Sequence, residues 1–448
     1  MQPKKIVKTI QTEIPIADKK INLALLLKLS FEKIEAAWRK LGPGLVTGAS
    51  GDDPSGIATY TQAGAKFGFN TLWTALLSFP LMVSIQEMCG RIGLVTNHGI
   101  AGVIRRHYSK KVLYFVALIT IPACILNIGA NLAGMGAVAN LLFPEVSNWI
   151  FTIAAALLII YFMVFLSYKK LEVILKWLTL VLLVYLIVPF LVKVNLSEVF
   201  SATIFPKLEF RKDYIAIVVA ILGTTISPYL FFWEASMEVE EHKVHATETH
   251  KPVEIVDKQE ITNMQKDNFV GMFFSNFVMF FIILTAGSVL HKNGLTGISS
   301  VGEAADALRP LAGDFAYLLF AIGVIGTGLL SIPVLAGACA YVLSETFNWE
   351  QGINRKFKEA KGFYITFIIS VVIGVIINLA KIDPIQALIW TATIYGIVSP
   401  ILIYLILKIT NNKKIMGEYV NNKFNNIMGV ACLIIMSVAV LAFLVTSF

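Results

Sequence analysis

Residues 42–65 read GPGLVTGASGDDPSGIATYTQAGA, and this stretch decides the fold. A carboxylate pair, Asp52 and Asp53, lies in the middle of a segment that is otherwise small and apolar. Pro54 removes a backbone donor, and the glycines on either side of the pair favour unwinding. Because charge at bilayer depth is costly and usually marks function, the stretch predicts a membrane helix broken at an acid. The alternative is a kinked helix in which one carboxylate is paired structurally.

The composition places this stretch in a membrane protein. The chain has 448 residues, of which 56% are hydrophobic and 15% charged, whereas soluble domains carry about 25% charged residues. Apolar runs near the ~20 residues needed to cross a bilayer recur to the C-terminus. We predict an all-α integral membrane protein with eleven spans. They are 44–64, 72–92, 113–143, 149–168, 171–194, 215–235, 268–290, 315–343, 363–379, 384–407 and 427–445.

The sixth span carries a second break signal. Residues 215–236 read IAIVVAILGTTISPYLFFWEAS, with Gly223, Ser227 and Pro228 in mid-span and Glu234 one to two turns later. Two interrupted segments, five spans apart, are typical of inverted five-helix repeats, whose breaks face each other near the midplane. Either break alone is weak, because Pro and Gly occur in ordinary membrane helices.

Lysine and arginine in the short loops predict the orientation. The basic excess falls on one side if the N-terminal segment 1–43 is cytoplasmic, which places the transport domain at 44–448 and Phe448 outside. The polar stretch 238–267 is then a cytoplasmic loop, and the cell membrane is the expected location. This topology accounts for the net charge of +8, so we expect a lipid bilayer around the chain and no nucleic-acid partner.

No motif indicates an enzyme or a resident cofactor. The four cysteines, Cys89, Cys124, Cys339 and Cys432, lie in apolar runs, and their spacing predicts neither disulfides nor a zinc site. A Walker A segment is absent from the sequence, which argues against direct ATP drive.

Several stretches resemble the NRAMP family of divalent-metal transporters. They are GPGLVTG at 42–48, the Asp53-Pro54 pair, QAGAKFG at 62–68 and RIGLVT at 91–96. The resemblance implies the LeuT-like fold, with two inverted five-helix repeats plus an eleventh helix. It implies a divalent metal ion as the transported substrate, with no cofactor, and it does not give the oligomeric state.

By this resemblance, the metal site uses the Asp53 carboxylate and the carbonyls of Ser50 and Thr224. Two further positions depart from the family motifs. Gly56 stands where the family has an asparagine ligand, and Ser227 stands where it has a methionine. The thioether that favours transition metals is therefore missing, and the remaining oxygen donors suit Mg²⁺, Ca²⁺ and Mn²⁺. Mg²⁺ keeps several waters, for which the smaller side chains leave room.

The third span also departs from the family. Matching residues 126–143 places Ile128 and Asn131 where the family has proton-relaying acids, and Glu234 where it has a histidine. The pattern is similar to the magnesium-transporting branch related to NRAMP proteins. It implies import of Mg²⁺, and of Mn²⁺, by alternating access without proton coupling.

Other functions stay open. A proton-coupled Mn²⁺ or Fe²⁺ importer would need another proton acceptor, for which Glu234 or Glu87 is available. An amino-acid symporter of the same fold would bind a carboxylate at half-helix N-termini, and Asp53 argues against it. A pore-type channel would show a filter sequence, and we find none in the sequence.

Overall fold

The chain forms α-helices joined by short connections. The computed structural model describes residues 42–166, 168–183, 186, 194–249, 252, 256–298, 301–306, 313, 315–380 and 382–447. Pro43–Phe448 forms one compact unit. The predicted N-terminal segment 1–43 lies outside the described residues except for its last two.

The first repeat contains the first helix break. Predicted span one is divided into two helices, spans two to four are continuous, and span five is described as far as a 3₁₀ turn at Leu180–Leu183. In chain order the helices are α1 Pro43–Ser50, α2 Pro54–Phe67, α3 Trp73–Thr96, α4 Ile100–His107, α5 Lys110–Leu142, α6 Asn148–Phe165 and α7 Tyr168–Thr179.

The second repeat contains the second break and is followed by one more long helix. A short connecting helix, α8 Leu196–Ile204, precedes it. The others are α9 Lys212–Thr225, α10 Pro228–Thr249, α11 Lys258–Val289, α12 Val301–Asp306, α13 Phe315–Phe347, α14 Lys361–Ile377, α15 Pro384–Thr410, α16 Lys413–Met416 and α17 Lys423–Ser447. Each of the eleven predicted spans thus corresponds to helix in the described residues.

Helix packing follows the predicted inverted symmetry. The two repeats are equivalent if α1–α2 corresponds to α9–α10, α3 to α11, α5 to α13, α6 to α14 and α7 to α15. The contact between α3 and α10 in one half is then equivalent to the contact between α11 and α2 in the other. In the same way, the contact between α5 and α15 is equivalent to that between α13 and α7. Likewise, α6 packs on α13 as α14 packs on α5. This exchange of partners is the LeuT-like arrangement.

Eight segments of the described part are long and apolar enough to cross a bilayer by length and composition, when α9 and α10 are counted together across their two-residue break. The three predicted spans outside this group have physical reasons for it. The first is broken, the fifth is described over only part of its length, and α3 carries the buried polar residues Gln86, Glu87 and Arg91.

Small residues allow the first break to pack tightly against α11. A Cβ atom added to Gly48 would lie 2.3 Å from the Gly271 carbonyl oxygen, so neither helix tolerates a side chain there. Membrane helices commonly use small residues in this way, because their backbones can then approach closely.

The stretch 238–267 differs from the predicted loop. Helix α10 continues to Thr249, and α11 begins at Lys258 behind an Asp257 capping box. Glu238 and His242 are buried on α10. The polar composition of this stretch therefore did not mean that all of its side chains are exposed to solvent. The cytoplasmic placement of this region stays a prediction.

Candidate metal centre

The first break separates α1 from α2 at residues 51–53. Asp53 is the N-cap of α2 and has an extended backbone. Its carboxylate accepts hydrogen bonds from the Gly56 backbone N–H, at 2.9 Å, and from the Ser55 hydroxyl. An acid at this position satisfies amide groups that the first turn of a helix leaves unpaired. The residues that predicted the break also build it.

The other oxygen of Asp53 faces α5. Asn127 Nδ2 donates to Asp53 Oδ2 at 2.8 Å, and Asn131 Nδ2 donates at 3.0 Å. Asn127 is held in turn by the Thr391 hydroxyl of α15, at 3.0 Å. The Asp53 carboxylate therefore has four donors and a defined orientation, although it is fully buried.

Asn131 is the residue that sequence matching placed at a lost acid, and the structure places its amide on Asp53. Ile128, matched to the other lost acid, is buried and packs against Gly374 of α14 instead. Asn127 was missed. Its signal was available, because two asparagines four residues apart lie on one face of an otherwise apolar helix.

The second break contains no charged group. Helix α9 ends at Thr225, and α10 begins at Pro228. The Ser227 hydroxyl donates back to the carbonyl oxygens of Thr224, at 2.6 Å, and of Gly223, at 2.8 Å. Ser399 of α15 donates to the Ile226 carbonyl at 2.7 Å. The carbonyls freed by this break thus accept hydrogen bonds from nearby hydroxyls.

The two breaks meet directly. Ser55 Oγ lies 3.5 Å from Thr224 Oγ1, and the Tyr229 hydroxyl of α10 donates to the Ser50 carbonyl at 2.6 Å. Gly56 lies in the same place, since a Cβ atom on it would be 3.2 Å from Thr224 Oγ1. The predicted residues Ser50, Asp53, Gly56, Thr224 and Ser227 therefore gather around the junction of the breaks. Their role as metal ligands stays a prediction.

Asp52 differs from its neighbour in its hydrogen bonding. Its carboxylate is buried, and neither oxygen accepts a well-formed hydrogen bond. The donor that lies beside it is the Ser275 hydroxyl of α11. The chain thus places two adjacent acids at the break, one with four well-formed hydrogen bonds and one with none.

Glu234 and Glu87, the other two candidate acids, have different surroundings. Glu234 accepts a hydrogen bond from the Thr47 hydroxyl of α1, at 2.5 Å, through one oxygen, and its other oxygen is buried without a partner. Glu87 pairs with Arg91 at 2.9 Å and also accepts from Gln265 and Asn425. Of these two glutamates, Glu234 is therefore the one with an unsatisfied oxygen.

No group of three or more histidine, cysteine or acidic side chains in the described ranges could hold a metal ion. A metal at the breaks would therefore depend on hydroxyl and carbonyl oxygens as well as Asp53. Two histidines of the 238–267 stretch, His242 and His245, lie elsewhere and approach Glu260 at 3.2 and 3.6 Å.

Residues 44–446 match the family described as "Natural resistance-associated macrophage protein-like", or Nramp. The chain belongs to this family. Its members are transporters, so this chain is a membrane transporter and not an enzyme.

The chain is also similar to a transporter of known sequence and to solved transporter structures. It is 24% identical over 393 residues to the "Divalent metal cation transporter MntH" of Caldanaerobacter subterraneus subsp. tengcongensis, covering 87% of this chain and 89% of that one. The Eremococcus coleocola manganese transporter superposes with a TM-score of 0.72 at 16% identity, covering 99% of this chain and 90% of that one. MhsT, solved with L-phenylalanine, gives 0.59 at 10% identity, with 90% and 98% covered. These structures confirm the LeuT-like fold.

Proposed function

We propose that the protein imports a divalent metal ion, Mg²⁺ in preference and Mn²⁺ second, through the junction of the two helix breaks. The observation that carries this proposal is the chemistry of the polar groups that meet there. They are the Asp53 carboxylate, the hydroxyls of Ser55, Thr224 and Ser227, and backbone carbonyls. Oxygen donors suit Mg²⁺ and Mn²⁺, whereas thioether and imidazole suit softer transition metals.

The transport cycle follows from the fold. Proteins built from inverted repeats expose a central site to one side of the membrane and then to the other. The Ser50–Tyr229 hydrogen bond and the Thr47–Glu234 hydrogen bond both tie α1 to α10. Opening one side would break such contacts, and binding of the metal would alter their balance. We place the protein in the cell membrane with its N-terminus in the cytoplasm.

Uptake without proton coupling is part of the proposal. The two positions matched to acids of α5 are Ile128 and Asn131, and neither side chain exchanges a proton near neutral pH. The membrane potential is a sufficient drive, since it contributes about 2.3 kcal/mol per charge at 100 mV. A divalent ion gains twice that, which corresponds to accumulation of roughly 2,000-fold at about 1.4 kcal/mol per tenfold step.

A proton-coupled Mn²⁺ or Fe²⁺ importer is the second candidate, and two observations favour it. Glu234 has one buried oxygen without a partner, and buried acids can carry protons in transporters. A thioether also lies near the second break, where Met279 Sδ accepts from the Thr225 hydroxyl at 3.5 Å. The names of the relatives, which refer to divalent metal cations and to manganese, fit this candidate equally well.

Uptake by purified protein in proteoliposomes tests the proposal. Mg²⁺, Mn²⁺, Ca²⁺ and an amino-acid mixture are supplied in parallel at matched concentration and potential. We expect Mg²⁺ and Mn²⁺ to enter, with Mg²⁺ competing effectively against Mn²⁺. Uptake of Mn²⁺ that is insensitive to a large excess of Mg²⁺ would favour the second candidate, and amino-acid uptake would contradict both.

A further inference from the structure

The Asp52 side chain is completely buried at the first break. Neither carboxylate oxygen accepts a well-formed hydrogen bond, although the Ser275 hydroxyl lies beside it. An ionised carboxylate with so few donors is strongly disfavoured in a buried environment unless a cation or a proton compensates its charge. The position therefore calls for a bound cation or a proton.

The two carboxylates have different neighbours. Asp53 faces the α5 amides, whereas Asp52 lies beside Ser275 of α11. Asp53 reaches Thr224 at the end of α9 through Ser55. The Tyr60 hydroxyl, which lies near both acids, is 3.2 Å from Thr225 Oγ1. Both acids therefore lie near the end of α9, where the two breaks meet.

We propose that Asp52 is a second carboxylate of the transport site, which balances the remaining charge of a divalent cation bound beside Asp53. This inference rests on the proposed function, because it requires a divalent ion at the junction of the breaks. Mg²⁺ is commonly bound through one or two carboxylates and retained waters. Asp52 contacts the ion directly or accepts a hydrogen bond from one of its waters. In either case two carboxylates match a charge of two, which favours divalent over monovalent cations.

The two acids give a matched comparison. Asp53 accepts four hydrogen bonds, so Asp53→Asn introduces an amide group where donors converge and should lower the melting temperature without metal. Asp52 accepts no well-formed hydrogen bond, so Asp52→Asn removes an uncompensated charge and should leave that temperature unchanged or raise it. Both variants should bind metal at least tenfold more weakly. Asp383→Asn serves as a control, because Asp383 caps α15 and asparagine caps equally well.

The experiment combines isothermal titration with Mg²⁺ and with Mn²⁺ and thermal melting in detergent, each on the full-length protein. The expected pattern for Asp52→Asn is weaker binding of both ions, an undiminished melting temperature without metal, and loss of the rise that metal gives to the wild type. Asp52→Ser should show the same pattern and replaces Asp52→Asn if that variant does not fold.

Two outcomes would overturn the role of Asp52. One is metal binding of wild-type strength in Asp52→Asn, which would mean that a proton compensates the carboxylate. The other is a lower melting temperature without metal, which would mean that the acid is structural. Wild-type protein that binds Mn²⁺ but not Mg²⁺ would instead contradict the proposed substrate, and the Mn²⁺ titrations would still decide the role of Asp52.

Discussion

The two helix breaks occupy equivalent positions in the two repeats but differ in their chemistry. The first contains two adjacent acids, and its Asp53 accepts hydrogen bonds from Asn127 and Asn131 of α5. The second contains no acid, and its Ser227 donates to carbonyls at the end of α9. Inverted repeats impose a similar break in both halves, yet each half has acquired a different set of side chains.

The two breaks therefore contribute differently to the binding of a cation and to the choice between cations. A cation needs negative charge within the membrane, and at the junction only the first break supplies it. The second break supplies hydroxyls, carbonyls and space, which decide whether a hard or a soft ion fits. Removing the acids of the first break should therefore affect all divalent ions together, and exchanging uncharged groups at the junction should change their ranking.

The largest expected effect is that of Asp53→Ala. Removing the fully bonded carboxylate should abolish uptake of both Mg²⁺ and Mn²⁺ in proteoliposomes, because no other group at the junction has the same oriented charge. Asp213→Ala is the matched control, since Asp213 pairs with Lys66 at a half-exposed position, where ion pairs contribute little. Uptake by Asp53→Ala at the wild-type rate would contradict the conclusion that the first break supplies the charge that binds the ion.

The next effect is that of Asn131→Ala. Groups that orient a metal-binding side chain typically contribute 10- to 100-fold in affinity or activity, so uptake of both ions should fall by roughly that factor. Asn140→Ala is the control on the same helix, because Asn140 bonds the Val146 carbonyl instead. Equal uptake in the two variants would show that the α5 amides do not support the site.

A smaller, selective effect is expected from restoring the family motifs with Gly56→Asn and Ser227→Met. The added amide and thioether should shift preference from Mg²⁺ toward Cd²⁺ by about tenfold, or about 1.4 kcal/mol. A Cβ atom at Gly56 would lie 3.0 Å from the Gly51 carbonyl oxygen and 3.2 Å from Thr224 Oγ1, so these neighbours must shift by a few tenths of an ångström. Gly297→Asn is the control, since a Cβ atom there would meet nothing within 4 Å. An unchanged Cd²⁺-to-Mg²⁺ competition ratio would contradict the role of Gly56 and Ser227 in selectivity.

The smallest expected effect is that of Glu234→Gln. If the protein does not carry protons, Glu234→Gln should take up metal at the wild-type rate. Its uptake should also show the same dependence on external pH as that of the wild type. Loss of a pH dependence that the wild type shows would assign proton transfer to Glu234. Glu234→Gln also alters the hydrogen bond that Thr47 donates to Glu234. Thr47→Val is the control, because it removes this donor and leaves the carboxylate in place.

Local signals made the breaks and the eleven spans predictable from sequence. Proline, glycine and an acid act on the backbone at the place where they occur, so residues 51–53 and 226–227 were identified correctly. The contacts between distant helices were not predictable in this way. The Tyr229–Ser50 hydrogen bond and the Asn127 amide depend on which faces of α1, α5 and α10 meet.

The stretch 238–267 shows the opposite limitation. Its charge predicted solvated loop, whereas α10 and α11 extend into it and bury Glu238 and Asp267. Polar composition reports the average environment of a segment. It does not reveal that two helices continue into this segment and bury some of its polar side chains.

We propose that the oxygen-lined junction carries Mg²⁺ without protons. Simultaneous recording of Mg²⁺ entry and luminal pH tests this in proteoliposomes under an imposed inside-negative potential, with Mn²⁺ as a parallel substrate. We expect metal entry driven by the potential with no change in luminal pH. Acidification that follows metal entry and disappears in Glu234→Gln, or entry of Mn²⁺ without Mg²⁺, would contradict it.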